Sequence, residues 1–406
     1  MHRPKRRTGP GRRTGPGRRI IVGIVGMLAI VGVRFVRSRR AQTKTSRGGQ
    51  RRTVVGAVTT VGRGASQTDT EDWFAYHRAV GVGRFYVFYD GGEKSLFASA
   101  STEDEQTFRA TVGDGEDVVF FGSEMARESR ERFDYLRREP FLAPYVGKNG
   151  TCGASALFVR QTLHLQSAIE EAQKSGDVDW LVHVDADELI APFSPHGFSV
   201  ESLLASLPSN VGRVVMPNHE AVPESAFEKE ACSSFRTVTL FRKNHRRVHS
   251  AVYRRFAHLA RRGVNPNYFL AYANGKSAAR VTKSLRANGA HRFKCQGVEI
   301  TCDECAVLHY PFSSVRRAAA RLGRCDCDAK GESTDKCSFL AFDREMAKFS
   351  GDANAFKKSF VERVVETNTT RRRDLLSAGI YERILAGVLV LRRVAPCEAC
   401  DEASKN

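Results

Sequence analysis

A chain of 406 residues, 41% hydrophobic and 27% charged, has the length of one large α/β domain with a tail and the composition of a folded soluble protein. These figures exclude a polytopic membrane protein and a wholly disordered chain. The formal charge of +19 sits at one end: residues 1–68 carry 17 Lys and Arg and no acid, which leaves +2 on the other 338 residues. A near-neutral body has no phosphate-binding footprint, so a nucleic-acid partner would be confined to the arm, and none is expected.

The arm opens with a tandem RRTGPG, Arg6–Gly11 and Arg12–Gly17, whose Gly, Pro and Arg cannot build a core. A basic disordered tail is predicted over residues 1–19. The apolar run Ile20–Val33 reaches Val36 if Arg34 snorkels, giving 14 to 17 residues, against the ~20 that span a bilayer. Residues 20–36 are predicted as an uncleaved signal anchor, with a cleaved signal peptide or a transit peptide as alternatives. The expectation is a single-pass type II membrane protein of the Golgi or another endomembrane, with a luminal body after a linker over 37–52. Asn149 and Asn368 begin sequons usable only in such a lumen.

Thr53–Val61 is β-branched and bounded by Gly, as a buried first strand should be. Trp73, Phe74, Tyr76, His77 and Val80 then recur at helical spacing, with Gly81 placed to end the helix. RFYVFYDGG gives a second strand closed by Asp90, Asp117–Phe121 a third, and Ser155–Lys174 a long helix before the strand of Trp180–Ile190, WLVHVDADELI. Strands alternating with helices imply an open, mostly parallel Rossmann-like sheet flanked by helices, with ligands beyond the carboxyl ends of its strands. Asp90 and Asp185 fall at two such ends. Further on, Gly212–Pro217 and Ser234–Lys243 are predicted as β-like runs of an acceptor half, and Phe339–Phe349 and Asp374–Val394 as helices. The domain is predicted over 53–315, with a helical, cysteine-containing extension over 316–406.

Asp185-Ala-Asp187 puts two carboxylates at a strand end, where hard oxygen ligands can hold Mn²⁺ or Mg²⁺ against a diphosphate; a solvated turn is the plain alternative. The ten cysteines, clustered late, fit disulfides in an oxidising compartment, while Cys302-x-x-Cys305 with Cys397-x-x-Cys400 has the form of a four-thiolate zinc site.

The segments DTEDWFAYHRAVGVGRFYVFYDGG, RQTLHLQSAIEEAQKSGDVDWLVHVDADELI, NGKSAARV and VLHYPFSS, in that order, resemble the glycosyltransferase family 2-like and family 92 pattern. The resemblance implies a GT-A fold, a nucleoside-diphosphate sugar donor such as a UDP-sugar, a divalent metal and a glycan acceptor. It places Thr60 and Asp90 at the nucleoside, Asp185 at the ribose or the metal, and Asp187 on the metal. His291 or His309 would be a further metal ligand, and Lys276 would neutralise a donor phosphate. The catalytic base is sought among Glu188, Glu220 and Glu224, with inversion or retention of configuration open. Glu220 lies in MPNHEAVPES, where the family has a different Gly-rich stretch. That departure motivates the alternative of a catalytically inactive carbohydrate-binding or scaffold protein.

Overall fold

The computed structural model describes residues 51–62, 66–90, 102–113, 115–123, 153–193, 196–225, 232–261, 274–321, 346, 348–349 and 351–401. The predicted tail, anchor and most of the linker lie outside these residues, as do Asn149, Cys152, Cys325, Cys327, Cys337 and most of Phe339–Phe349. Among the described residues no helix is long and apolar enough to cross a membrane.

The first half folds as the alternation of residues dictates. Strand β1 (Val55–Gly62), helix α1 (Gln67–Ala79), β2 (Val82–Asp90), α2 (Thr102–Val112), β3 (Val118–Phe121), α3 (Gly153–Ser175) and β4 (Trp180–His183) follow in order. β1 pairs in parallel with β2 and β4, and β2 with β3. Period-two alternation divides these strands between two helices. Ala57, Val61, Phe85, Val87, Trp180 and Val182 share a core with Trp73, Phe74 and Tyr76 of α1. Val58, Tyr86, Phe88 and Leu181 pack on the other face with Leu165, Ala168 and Ile169 of α3. Gly56 faces the α3 side, where an added Cβ would lie 2.9 Å from Leu181 and 3.2 Å from Tyr86, so no larger residue fits under that helix. Both sides of the sheet are covered, which is why its strands read as continuous apolar runs.

The predicted strand Trp180–Ile190 is in fact two. β4 stops at His183, a turn spans Asp185–Asp187, and β5 (Glu188–Pro192) leaves for a second sheet. The amide of Glu188 donates to the Asp185 carbonyl at 3.0 Å, and this tight turn breaks the run. After α4 (Val200–Ala205), β6 (Val211–Met216) and β7 (Asn218–Ala221) come α5 (Ser234–Thr237) and β8 (Leu240–Arg242). The β-like run expected over Ser234–Lys243 therefore begins with a helical turn. Its cause is tertiary: Arg236 and Ser233 both bind the buried Asp72 of α1, at 2.5–2.6 Å, and only a turn lets them converge.

Helices α6 (Ser250–Phe256) and α7 (His258–Arg261) lead to β9 (Lys276–Arg280), the small hairpin of β10 (Arg286–Ala287) and β11 (Phe293–Lys294), β12 (Val298–Thr301) and β13 (Cys305–His309). The order of the larger sheet is β12-β6-β9-β4-β1-β2-β3, with β9 the one antiparallel member. A mostly parallel sheet flanked by helices is the GT-A-like arrangement expected.

After β13 come α8 (Val315–Ala320), α9 (Ala353–Val364), α10 (Thr369–Ser377), β14 (Tyr381–Arg383), α11 (Ala386–Val394) and the short α12 (Glu398–Asp401). The helix expected over Asp374–Val394 is thus interrupted. Gly379, at φ +69°, closes α10 with a left-handed cap that only glycine adopts without strain, and the freed chain pairs with β8. β14 completes a second sheet of order β14-β8-β7-β13-β5, and α11 packs against α1 and α5. Residue 315 consequently marks no break in packing. Among the described residues two disulfides are present, Cys302–Cys305 and Cys232–Cys400, while Cys295 and Cys397 are outside any disulfide. Cys302 and Cys305 bond to each other and Cys400 bonds to Cys232, so the two Cys-x-x-Cys motifs do not form the four-thiolate zinc site.

Candidate active site

The Asp185–Asp187 turn joins the two sheets, and most of the residues predicted for the site gather around it. Its backbone is fixed by α1. The indole of Trp73 donates to the carbonyls of Asp185 and Glu188 at 3.1 and 2.9 Å, and the Tyr76 hydroxyl donates to the Ile190 carbonyl at 3.0 Å. The amide of Ile190 donates to Nε2 of His77 at 3.3 Å, while Nδ1 of His77 lies 2.9 Å from the Trp73 carbonyl. Burial pushes His77 down to about 3, so the ring is neutral and can both give and accept. A Trp, Tyr and His at positions i, i+3 and i+4 of a helix therefore brace a turn more than a hundred residues away. Sequence reasoning saw them only as a packing stripe. Trp73→Phe keeps an aromatic ring but removes the indole donor from the buried Glu188 carbonyl and leaves the Asp185 carbonyl only the Glu188 amide, so it should lower stability by about 1–3 kcal/mol in chemical denaturation.

From the other face, α3 reaches the ends of three strands. Nε of Arg160 donates to Asp90 at 2.7 Å, both side chains being buried. Nε2 of Gln161 donates to Oδ1 of Asp185 at 2.8 Å, and Nδ1 of His164 lies 3.0 Å from the Thr60 hydroxyl. The His164 ring stacks on Phe88, which fixes its plane. Thr60, Asp90 and Asp185, three of the predicted site residues, are thus held by one stretch of helix. Arg160, Gln161 and His164 were missed, although the run RQTLH at the start of the long predicted helix carried the signal.

Beneath Asp185 lies a buried cation. Lys276 opens β9, is entirely inaccessible to solvent, and sets its ammonium 2.8 Å from Asp185, 3.4 Å from Glu188 and 3.3 Å from Nδ1 of His183. Burial alone would raise the Asp185 carboxyl; Lys276, His183 and His291 override it and hold it well below its ordinary value. Lys276 is raised, since Asp185 and Glu188 outweigh its own desolvation. Glu188 goes the opposite way, up to about 7, because burial and the neighbouring Asp185 dominate over Lys276. Its Oε2 also accepts from the Asp185 amide at 2.9 Å. Burial and Lys276 lower His183 to about 4 and His291 to about 3, and Nδ1 of His291 lies 3.0 Å from the Gly275 carbonyl.

The second sheet supplies a polar row. Register sets Glu188 of β5 opposite His309 of β13, His309 opposite Glu220 of β7, Glu220 opposite Arg242 of β8, and Arg242 opposite Tyr381 of β14. Nδ1 of His309 lies 3.0 Å from Glu220, and its Nε2 lies 3.9 Å from Oδ2 of Asp187. Asn218 donates to Glu220 at 2.5 Å and itself accepts from Asn244 at 3.0 Å. Burial lowers His309, but Glu220, Asp187 and Glu188 outweigh it and push the ring up to about 9. Glu224 belongs elsewhere, ion-paired with Arg372 and Arg383.

The predicted residues therefore fall into three sets: Thr60 and Asp90 at the ends of β1 and β2; Asp185, Glu188, Lys276 and His291 around one ammonium; Asp187, His309 and Glu220 in a line. Among the described residues no three His, Cys, Asp or Glu side chains group to enclose a cation by themselves. Asp187 and His309 nevertheless offer the hard oxygen and imidazole nitrogen of a two-ligand site, with Glu220 behind the imidazole in the usual supporting position.

No family model matches the chain. It is similar to two proteins of Arabidopsis thaliana, glycosyltransferase-like At2g41451 and glycosyltransferase-like At3g57200, at 33% identity over 340 residues in each case. The match covers 82% of this chain, and 71% and 63% of the two relatives.

Proposed function

The chain belongs to the glycosyltransferase-like family of these relatives, and from that premise we propose that it transfers a sugar from a nucleoside-diphosphate sugar to a glycan, with the donor beyond the carboxyl ends of β1, β2 and β4. The observation that carries this reading is the grip of α3 on Thr60, Asp90 and Asp185, which preorganises three strand-end positions at the place where open α/β sheets take nucleotides. Asp90 is the acceptor for a base N–H, and Asp185 faces the ribose and diphosphate.

Asp187 and His309 are the residues that would hold Mn²⁺ or Mg²⁺, with Glu220 orienting His309; when bound, the cation neutralises the departing diphosphate. Asp185 and His291, read from the sequence as metal ligands, lie instead beside Lys276, which compensates charge within the protein. Glu188 is a buried member of that group and not a base toward the acceptor. UDP is the expected nucleotide. The Cys232–Cys400 and Cys302–Cys305 disulfides support an oxidising lumen of the Golgi or another endomembrane, with the segment 20–36 as anchor.

The test is incubation of the full chain with UDP- and GDP-sugars, Mn²⁺ or Mg²⁺, and a set of glycans, reading nucleotide release. Release from one donor is expected. Nucleotide binding without release from any donor would replace this reading with an inactive carbohydrate-binding protein.

The charge on His309 gives a further expectation. A ring raised to about 9 is protonated at neutral pH and must lose its proton to bind a metal. Mn²⁺ affinity should therefore rise as pH rises from 6.5 toward 9, with proton release in calorimetry. His309→Ala should weaken binding and flatten that slope.

A further inference from the structure

Between Glu230 and Glu299 the chain has 68 consecutive residues with 15 Lys and Arg and no Asp or Glu, whereas the rest of the sequence after residue 68 holds 32 Lys and Arg against 45 acids. The near-neutrality of the body is thus a balance of two opposite parts, and the tract's cations need individual accounting. Several turn inward. Arg236 binds Asp72, Lys276 binds Asp185, and Arg280 lies over Trp180. Arg247 donates to the carbonyls of Cys302 and Cys305, and Lys243 answers Glu382 at 3.3 Å.

Three of the others, Arg246, Arg254 and Arg255, share one exposed stretch with two histidines. Arg246, His249, Arg254, Arg255 and His258 lie on the 3₁₀ turn His245–Arg247 and on α6 and α7, all exposed. Among the described residues no carboxylate pairs with Arg246, Arg254 or Arg255. This face is tethered to the candidate site. The side chain of Asn244 caps the turn by accepting from the Arg246 amide at 3.0 Å, and donates to Asn218, which donates to Glu220, the partner of His309. A basic surface without carboxylate partners thus starts two amides away from Glu220.

We propose that the face formed by Arg246, Arg254 and Arg255 binds an acidic polysaccharide, carrying carboxylates or sulfates along its length, as the acceptor of the transfer. The proposal rests on the glycosyltransferase reading above and names its acceptor class. Arg254 donates to the Ser250 carbonyl and Arg255 lies over the Phe256 ring, but exposed cations without a carboxylate partner keep their net charge and attract a polyanion over a Debye length. A neutral glycan gains nothing from them. A membrane or a nucleic acid would also answer the charge, but neither explains its tether to Glu220.

The experiment compares the full wild-type chain with Arg246→Glu/Arg254→Glu/Arg255→Glu and with Arg254→Gln/Arg255→Gln. All carry the same basic N-terminal arm, so its contribution cancels. Binding is measured to polygalacturonate, dextran sulfate, neutral dextran, phosphatidylserine vesicles and poly(U), and to UDP with Mn²⁺. The triple variant should bind polygalacturonate or dextran sulfate at least tenfold more weakly, and the Gln pair should be weakened less. UDP binding and melting temperature should stay unchanged, and neutral dextran should bind weakly to all three proteins. Preference for polygalacturonate identifies a carboxylated acceptor, and preference for dextran sulfate a sulfated one. Undiminished polyanion binding by folded variants overturns the proposal. So does a larger loss on vesicles or poly(U) than on either polysaccharide. If wild type fails to bind UDP, the donor-site reading falls; if UDP binds normally while the substitutions leave polysaccharide affinity unchanged, only the acceptor inference falls.

Discussion

Asp187→Ala should lower kcat/KM for sugar transfer about 10²- to 10⁴-fold, a loss of about 3–5 kcal/mol of transition-state stabilisation, while leaving the protein folded. The Asp187 carboxylate is partly exposed, 22% by side chain, and points toward Nε2 of His309. Its backbone carbonyl accepts from the Tyr310 amide at 2.8 Å, a bond that the substitution keeps. Removing the carboxylate therefore leaves the joint between β5 and β13 intact. A cation held there acts on charge that develops as the diphosphate leaves, so kcat should fall with kcat/KM and donor affinity should change less. Mn²⁺ binding should weaken in parallel. Transfer within tenfold of wild type, still dependent on metal, would remove Asp187 from the site.

The first half of this arrangement was legible in the sequence because its signals are local. β-branched runs, the helical spacing of α1, and Asp90 and Asp185 after two of the strands can be read within a window of a few residues, and the parallel part β4-β1-β2-β3 follows from their order, whereas β6, expected in an acceptor half, joins the same sheet through β9. The second sheet was not legible. Glu188, Glu220 and His309 were each singled out, but their shared row depends on the register of three strands separated by up to 121 residues, which no local pattern encodes. The same holds where tertiary partners override propensity. Arg236 bends Ser234–Thr237 into a helical turn to reach Asp72, and the β14–β8 pairing interrupts what reads as one C-terminal helix. Lys276 is the sharpest case. A lysine between Gly275 and Ser277 reads as a surface or phosphate-binding side chain, and only the folded chain brings it, fully buried, under two carboxylates.

Lys276→Met should destabilise the protein by about 3–5 kcal/mol at neutral pH, the cost of leaving buried carboxylates without their cation. Methionine fills most of the same volume, so the loss is electrostatic and not a cavity effect. The pH dependence separates the two. In the wild type Lys276 holds Asp185 below its ordinary value of 3.8, so this carboxyl contributes stability that is present above 3.8 and lost as pH falls through its depressed value. Without the ammonium, burial dominates and raises Asp185, and Glu188, already at about 7, rises further. Groups raised in the folded state stabilise at low pH and lose that contribution as pH climbs. The gap between wild type and Lys276→Met should therefore be widest near pH 7.5 and should narrow steadily toward pH 4–5, as both carboxyls in the variant take up protons. Denaturant titrations at these pH values read it directly. A gap that is constant with pH would mean that Lys276 acts through packing alone, and that the ion cluster beneath Asp185 contributes nothing to holding the turn.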